Sequence, residues 1–168
     1  MMTTIPFDGK TPVVQSAFIA PDCYLIGNVV IKKGSSVWFG SIIRGDTALC
    51  EIGEGTVVLE HCYVENSIIG DNTMLSHGVI AHKCKIGNNV LVGIGARIIN
   101  GSEIGDNSLI GAGAFILPDT KIPPNSVVID KGRVIRSINE KDMHYIHSSV
   151  EEVQGKAIIL KKTLSNTG

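Results

Sequence analysis

The sequence is poor in aromatic residues, since Phe, Trp and Tyr make up only 5% of its 168 residues. This excludes a core built on large rings, and the 19 glycines indicate a chain that buries small and aliphatic side chains repetitively. The net charge is only −1, so no basic field recruits nucleic acid or a membrane surface, and we expect neither as a partner. The length suffices for one domain with a core.

Two further absences concern location and cysteine chemistry. No apolar stretch reaches membrane-spanning length, and the N-terminus lacks the apolar segment of a secretory signal. The four cysteines (Cys23, Cys50, Cys62 and Cys84) include no CxxC pair, so a structural zinc finger is not expected. We therefore expect a cytoplasmic protein with reduced thiols. Three of the cysteines are expected in the core, whereas Cys50 falls in a corner segment that allows exposure.

What the sequence does contain is a repeat: an aliphatic residue recurs every six positions, and a small or β-branched residue usually follows it four places later. A period of six is typical of a triangular solenoid with three short strands per coil, stacked through parallel ladders. Gly and Asn at the turns supply positive φ angles. The repeat predicts an all-β solenoid, a left-handed parallel β-helix of hexapeptide repeats, over residues 1–130. The aliphatic positions are Ile19, Leu25, Ile31, Val37, Ile43, Ile52, Val58, Val64, Ile69, Leu75, Ala81, Ile86, Val92, Ile98, Ile104, Ile110, Ile116, Ile122 and Val128.

The pattern changes after the last of these positions. Ser137 and Glu140 form an S-x-x-E pair, which predicts the start of a helix. Apolar residues at three- and four-residue steps from Met143 to Leu164 predict an amphipathic helix, in which Gly155 is a candidate interruption. We assign residues 131–168 to a connecting segment and a C-terminal α-helix packed on the solenoid flank.

The six-residue register also assigns polar residues to faces of the prism. If Leu49 to Glu51 is a corner insertion, Arg44, Glu65 and His82 are each the second residue of a hexad on the same face. They should then stack in an outward ladder, one per coil. His77 falls on a different face and points away from His82. The two histidines can reach one ion only if His77 comes from a neighbouring subunit, as in a three-fold trimer.

Three segments carry a family resemblance. SVWFGSIIRGD (residues 36–46) and IGDNTMLSHGVIAHKCKIG (residues 69–87) resemble the RGD segment and the two-histidine block of the γ-class carbonic anhydrase family. PPNSVVIDKGRVIRSI resembles the family's closing segment, so the likeness covers residues from about 10 to about 150. It implies a homotrimer with interface metal sites, zinc or iron as the metal, and CO2 or bicarbonate as substrate. It implies that His77 and His82 are two of three histidine ligands, and that Arg44 and Asp46 belong to an interface ion-pair network.

Several positions depart from the family's pattern. Glu65 stands where the family has its first histidine, and Val57 and Leu59 replace a polar Asn and Gln. Glu60 stands where the family usually has Asp, and the long acidic loop with a proton-shuttle Glu is absent. The resemblance thus implies Glu65 and Glu60 as the catalytic candidates of an altered site with weak or absent activity.

Three arrangements of this site remain open. In the first, His77, His82 and Glu65 hold a metal, whose open position holds a water activated for attack on CO2. The carboxylate lowers the charge of that site by one and makes the bound water less acidic. In the second, no metal binds and Glu65 pairs with Arg44 below it or with His82 above it. In the third, His61 replaces the missing histidine, although it lies on another side of the coil.

Three classes of function follow from these arrangements. The first is a γ-carbonic anhydrase-like lyase with weak activity. The second is a hexapeptide-repeat acyl- or acetyltransferase that holds CoA between neighbouring coils and uses His77 or His82 as a base; the scarcity of insertions argues against it. The third is a non-catalytic trimeric scaffold. His144 and His147 are interpreted as solvated helix residues, and Trp38 is expected to cover the surface or a subunit contact.

Overall fold

Short strands wind into a three-sided prism in the computed structural model, which describes residues 2–166. The predicted left-handed parallel β-helix with one C-terminal helix is confirmed. We call the three sides of the prism faces A, B and C. In chain order, the strands of face A are β1 (Thr3–Ile5), the first half of β4 (Tyr24–Ile31), the first half of β6 (Ile42–Ile52), β8 (Tyr63–Glu65), β11 (Ile80–His82), β14 (Arg97–Ile99) and β17 (Phe115–Ile116).

The other two faces complete each coil. Face B consists of β2 (Val13–Val14), the second halves of β4 and β6, β9 (Ile68–Ile69), β12 (Lys85–Ile86), β15 (Glu103–Ile104) and β18 (Lys121–Ile122). Face C consists of β3 (Phe18–Ile19), β5 (Ser36–Val37), β7 (Val57–Val58), β10 (Met74–Leu75), β13 (Leu91–Val92), β16 (Leu109–Ile110), β19 (Ser126–Ile129) and β20 (Arg133–Ser137). The strands pair in parallel except β20, which runs antiparallel to β19.

The interior of the prism is formed by the predicted hexad positions. Each of them from Leu25 to Val128 is at most 4% exposed, while Ile19 in the first coil is half-buried. The reason lies in the ladder, because parallel pairing sets Ile43, Val64 and Ala81 directly above one another. The six-residue period therefore stacks one aliphatic side chain over the next through the whole solenoid.

The corner between faces A and B differs from coil to coil. β4 and β6 pair with an offset of 18 residues at Gly27 and Gly45, but of 21 residues at Val29 and Cys50. Three additional residues thus lie between Gly45 and Cys50, with Thr47 exposed at the bend. The prediction that Leu49 to Glu51 form the insertion is wrong, because Cys50 and Glu51 already belong to the resumed strand.

The helix α1 (Glu140–Ser165) packs on face C, where it contacts β3, β7 and β10. Its residues Ile146, Val150 and Ala157 are buried, and Gln154 Nε2 donates a hydrogen bond of 2.5 Å to the carbonyl oxygen of Gly55. The outward residues of the covered strands β7 and β10, Val57 and Met74, are consequently buried. Outward positions on faces A and B are mostly half-buried or exposed.

Trp38 lies in the core of the molecule. It is 7% exposed, its ring meets Phe18 edge-on at 5.8 Å between centroids, and its Nε1 donates to Ser36 Oγ at 3.1 Å. The expectation that it covers the surface is therefore wrong, since its indole N–H finds a partner inside the fold.

The helix begins later than the sequence predicted. Asn139 Oδ1 accepts from the Asp142 backbone N–H at 3.0 Å, and Asp142 Oδ2 accepts from the Asn139 N–H at 2.9 Å. This reciprocal pair is the capping box, and the predicted box at Ser137 and Glu140 is wrong because Ser137 is paired in β20. The helix continues through Gly155 without interruption.

Between the solenoid and the helix, the chain forms a short 3-10 turn (Asp130–Gly132) and then β20. Residues 1 and 167–168, the outer ends of the two predicted segments, lie outside the described residues. Within residues 2–166, no helix combines the length and apolar character needed to cross a bilayer.

Replacing an interior isoleucine should destabilise the fold far more than replacing an exposed one. Ile69 is 0% exposed in the central coils and Ile158 is 59% exposed on the helix. Ile69→Ala should cost about 2–5 kcal/mol because it leaves a cavity, whereas Ile158→Ala should stay within about 0.5 kcal/mol. Denaturant unfolding at matched protein concentration measures both, and equal losses would contradict the interior register.

The observed cap and the predicted cap can be separated by two alanine variants. Asn139→Ala removes the acceptor for the Asp142 N–H and should lower the free energy of unfolding by about 0.5–2 kcal/mol. Ser137→Ala, two residues earlier, should change it by less than about 0.5 kcal/mol. Thermal and denaturant unfolding compare them, and a larger loss in Ser137→Ala would restore the earlier cap.

Candidate functional site

Arg44, Glu65 and His82 form a column on face A, as the register predicted. The Cα of Arg44 is paired with that of Glu65 and the Cα of Glu65 with that of His82 in adjacent parallel strands. Adjacent strands lie about 4.8 Å apart, so the three side chains leave the wall one above another. The side chains of Glu65 and His82 are 12% and 30% exposed, which gives a partly desolvated pair on an otherwise open face.

Glu65 and His82 meet through one carboxylate oxygen and one ring nitrogen. His82 Nδ1 lies 2.6 Å from Asn100 Oδ1, an arrangement in which Nδ1–H donates to the amide oxygen. The other ring nitrogen, Nε2, lies 3.4 Å from Glu65 Oε1; it presents a lone pair in the neutral imidazole and a second proton in the imidazolium. Two acceptors at this distance repel unless a proton or a cation lies between them.

Arg44 does not bind Glu65 directly. Its Nε donates to Asp46 Oδ2 at 2.7 Å, and a second, shorter contact joins its Nη2 to the same oxygen. Asn66 Nδ2 donates to Asp46 Oδ1 at 2.9 Å. The Asn66 amide and the Arg44 guanidinium together lower the pKa of Asp46 to about 2. Of the two partners proposed for Glu65, the structure brings only His82 into direct contact.

Tyr63 is a member of this network that the sequence did not reveal. Its hydroxyl donates to Glu65 Oε2 at 2.5 Å and accepts from Arg44 Nη1 at 3.3 Å. Burial and the hydrogen bond to Glu65 raise the pKa of Tyr63 above its usual value. The available signal was position, since residues two apart on a strand share a face.

His77 lies at the opposite end of β11 from His82. It occupies the corner turn between β10 and β11 rather than a flat face, so the face predicted for it is corrected to a corner. Its Nδ1 lies 2.8 Å from Glu60 Oε2, which belongs to the equivalent turn one coil below. That oxygen is buried and accepts no well-aligned hydrogen bond from the described residues, so the ion-pair contact with His77 is its available polar partner.

The other histidines are placed elsewhere. His61 occupies a corner turn with φ 59°, and its Nδ1 packs so closely on Gly40 that a Cβ there would lie 2.5 Å away. His144 and His147 are exposed on α1. In one copy of the chain, the part that the structure describes holds no group of three His, Cys, Asp or Glu side chains arranged around one ion.

All four cysteines are buried free thiols. The suggestion that Cys50 is exposed is wrong, because it faces inward beside Val29 and is 0% exposed. Burial raises its pKa to about 12, so the thiolate needed for nucleophilic chemistry is not populated near neutral pH.

Comparison with known proteins identifies the family. Residues 83–118 match the family model described as bacterial transferase hexapeptide (six repeats). A probable carbonic anhydrase of Methanocaldococcus jannaschii is 40% identical over 154 residues, covering 88% of this chain and 94% of the relative. The chain belongs to the γ-carbonic anhydrase-like family of hexapeptide-repeat proteins.

The similar proteins differ in length and in the activity that their names give. The mitochondrial γ carbonic anhydrase 1 of Arabidopsis thaliana is 34% identical over 104 residues, which are 55% of this chain but only 38% of the plant protein. The chain therefore spans about two fifths of the length of that relative. The solved structure of a putative acetyltransferase from Bacillus cereus superposes with a TM-score of 0.91 at 30% identity, covering 96% of this chain and 98% of that one.

The residues that the family resemblance implies for the site fall into two groups in this structure. Glu65 and His82 are together, while His77 lies across face A and is not brought to them within one copy. Val57 and Leu59 are 0% and 8% exposed in the helix-covered part of the molecule, so they offer no polar group to the column on face A.

The stability that Asp46 contributes should depend on pH. Its folded pKa of about 2 lies below the unfolded value of about 3.9. The contribution is therefore complete above about pH 4 and is lost as the pH falls toward about 2. Denaturant unfolding of wild type and Asp46→Asn at about pH 7, 5 and 3 should show a stability gap that narrows in acid. If the difference in the free energy of unfolding between wild type and Asp46→Asn did not change with pH, the charged network around Asp46 would be contradicted.

Proposed function

We propose that this chain is a γ-carbonic anhydrase-like metalloprotein that works as a homotrimer. Glu65 and His82 of one copy, with His77 of a neighbouring copy, would hold one zinc or iron ion at each interface. The observation that carries the proposal is the 3.4 Å separation of His82 Nε2 and Glu65 Oε1, two atoms that can both ligate an ion when the imidazole is neutral.

The donor set fits such an ion. Two ligand atoms bound about 2.05 Å from one tetrahedral zinc ion lie about 3.3 Å apart, which is close to the separation of Nε2 and Oε1. The hydrogen bond to Asn100 fixes the His82 tautomer that leaves Nε2 free, as supporting residues around metal sites commonly do. Two imidazoles and one carboxylate are a known ligand set for both zinc and iron.

His77 supplies the matching half of the site from the other corner of face A. Its Nδ1 faces the Glu60 carboxylate, so Nε2 is the ring nitrogen left for an ion. Its side chain is 53% exposed in the single chain, which makes it available to a neighbour. In this proposal Glu65 acts as a ligand, and Glu60 acts by holding His77.

Face A is the surface that a neighbouring copy would cover. Its outward positions include Tyr24, Ile80 and Phe115, which are 37–46% exposed, and Leu117 follows at the end of the same face. Face C is already covered by α1, and face B carries ion pairs such as Lys121–Glu103 and Lys32–Glu51. An apolar face that also carries the column of site residues supports assembly through face A.

The proposed chemistry is a weakened hydration of CO2. When bound, the metal would polarise a water molecule for attack on a small electrophile. Glu65 adds a negative charge where the family has a neutral imidazole, and Val57 and Leu59 remove polar groups. Both changes favour low activity. The four free cysteines support a reducing compartment such as the cytoplasm.

Two other functions have specific support. An acyltransferase is favoured by the likeness to the Bacillus cereus putative acetyltransferase, and a cleft of about 390 Å³ at the corner of faces A and B is lined by Leu49, Ile68, Lys83 and Lys85. Its apolar wall and two ammonium groups would suit CoA. A non-catalytic trimeric scaffold is favoured by the Glu65–His82 contact itself, which an ion pair with protonated His82 would also explain.

Metal analysis of tag-free protein tests the proposal. Wild type should carry about one zinc or iron per chain, and His82→Ala and His77→Ala should both lose it, while His144→Ala on the helix should retain it. Retention of metal in His82→Ala would overturn the site. Saturable CoA binding without bound metal would favour the acyltransferase. Binding of neither metal nor CoA would favour the non-catalytic scaffold.

Mixed trimers test the placement of His77 in the neighbouring copy. Equal amounts of His77→Ala and His82→Ala chains, unfolded and refolded together, should recover about a quarter of the wild-type metal content, because each mixed trimer has one interface with both histidines intact. Each variant refolded alone is the control. No recovery in mixtures whose trimers are intact by sedimentation would show that His77 does not act across an interface.

A further inference from the structure

The Tyr63 hydroxyl occupies the space between a carboxylate and a guanidinium that would otherwise meet. Register pairs Arg44 and Glu65 directly in neighbouring strands, an arrangement that favours an ion pair between them. The structure shows instead that Arg44 Nη1 donates to the Tyr63 oxygen at 3.3 Å, and that the hydroxyl donates to Glu65 Oε2 at 2.5 Å. A neutral group therefore separates the two charges.

The position of Tyr63 follows from the strand that carries it. Tyr63 and Glu65 are both outward residues of β8, and Val64 between them is buried in the interior. In register, Tyr63 is paired with Ile42 of the coil below and with Ile80 of the coil above. The ring thus leaves the wall from a position between two apolar residues, and its hydroxyl reaches Glu65 Oε2.

The two oxygens of Glu65 are thereby given different surroundings. Oε2 accepts the hydrogen bond from Tyr63, whereas Oε1 faces His82 Nε2 at 3.4 Å and Asn66 Nδ2 at 3.3 Å. A carboxylate held in this way offers one oxygen to an ion. Without the hydroxyl, Glu65 is free to turn toward Arg44, and a direct ion pair would draw its charge away from His82.

We infer that Tyr63 is a positioning residue of the metal site: it fixes Glu65 with Oε1 toward His82 and keeps Glu65 from pairing with Arg44. The inference rests on the proposed metal-binding function. Arg44, held by Asp46, serves in turn as the fixed donor that orients the Tyr63 hydroxyl. Tyr63 touches neither the ion nor the substrate, so its effect should appear in metal affinity.

Tyr63→Phe removes only the hydroxyl and should weaken zinc binding by about 10- to 100-fold, the usual effect of losing a group that orients a metal ligand. The dissociation constant is measured by competition with a chromogenic chelator, using zinc chloride and the assembled wild-type and variant proteins. The matched control is Tyr145→Phe, since Tyr145 lies on α1, away from face A, and is 56% exposed. It should bind zinc as wild type does.

Two further measurements separate positioning from general damage to the fold. Visible absorption of the cobalt-substituted protein should change in Tyr63→Phe and not in Tyr145→Phe, because the ligand geometry changes only in the first. In a Glu65→Gln background, Tyr63→Phe should have little additional effect on zinc affinity, since the carboxylate it orients is already gone.

The possible results separate the role of Tyr63 from the proposed metal-binding function on which it rests. If wild type binds zinc, the His82→Ala variant loses it, and Tyr63→Phe binds zinc as well as Tyr145→Phe does, the role of Tyr63 is overturned and the metal site stands. A full Tyr63→Phe effect that persists in Glu65→Gln also overturns it, because the hydroxyl then acts elsewhere. If wild type binds no zinc, both proposals fail together.

Discussion

Every part of this structure depends on the parallel backbone ladder that stacks one coil directly on the next. The ladder gives each residue a partner one coil above and one coil below, at a spacing of about 4.8 Å. A side chain that faces inward must therefore fit against the equivalent side chain of both neighbouring coils. The aliphatic hexad positions satisfy this condition from Leu25 to Val128, and the same ladder places Glu65 beneath His82. The positions of the core residues and of the candidate site residues therefore both follow from the stacking of the coils.

The candidate site lies at the corner where the coils differ in length. The coil with Arg44 has three additional residues after Gly45, and the next two coils are each one residue short at this corner. The coil above them regains its full length, and Asn100 becomes available to hold His82 Nδ1. Asn66 binds the wide loop below through the backbone N–H groups of Thr47 and Ala48. Variation in corner length thus supplies the polar groups that support the column.

Fold likeness alone does not decide between the candidate chemistries. Relatives named as carbonic anhydrases and as an acetyltransferase share this architecture with the chain, and solenoids of this kind carry different sites on the same scaffold. The discriminating features are individual atoms: His82 Nε2 facing Glu65 Oε1, and the hydroxyl of Tyr63 between Glu65 and Arg44. Glu65 occupies an outward position of β8, so its side chain sets the charge of this column without affecting the stacking of the interior.

The sequence by itself determined the solenoid, its interior residues and the shared face of Arg44, Glu65 and His82, because a strict period of six fixes which positions point inward and which residues stack. It did not determine the exact residues of the corner insertion, the cap at Asn139 or the burial of Cys50, since each depends on where a neighbouring strand resumes its pairing. The tertiary structure alone decided that Tyr63 holds Glu65 and that Asn100 holds His82. It also showed that Arg44 and Asp46, which the resemblance placed in an interface ion-pair network, bind each other within one chain. Each of these side chains has other polar groups nearby. Side-chain geometry determines which of them it contacts, and a repeat pattern does not encode that geometry.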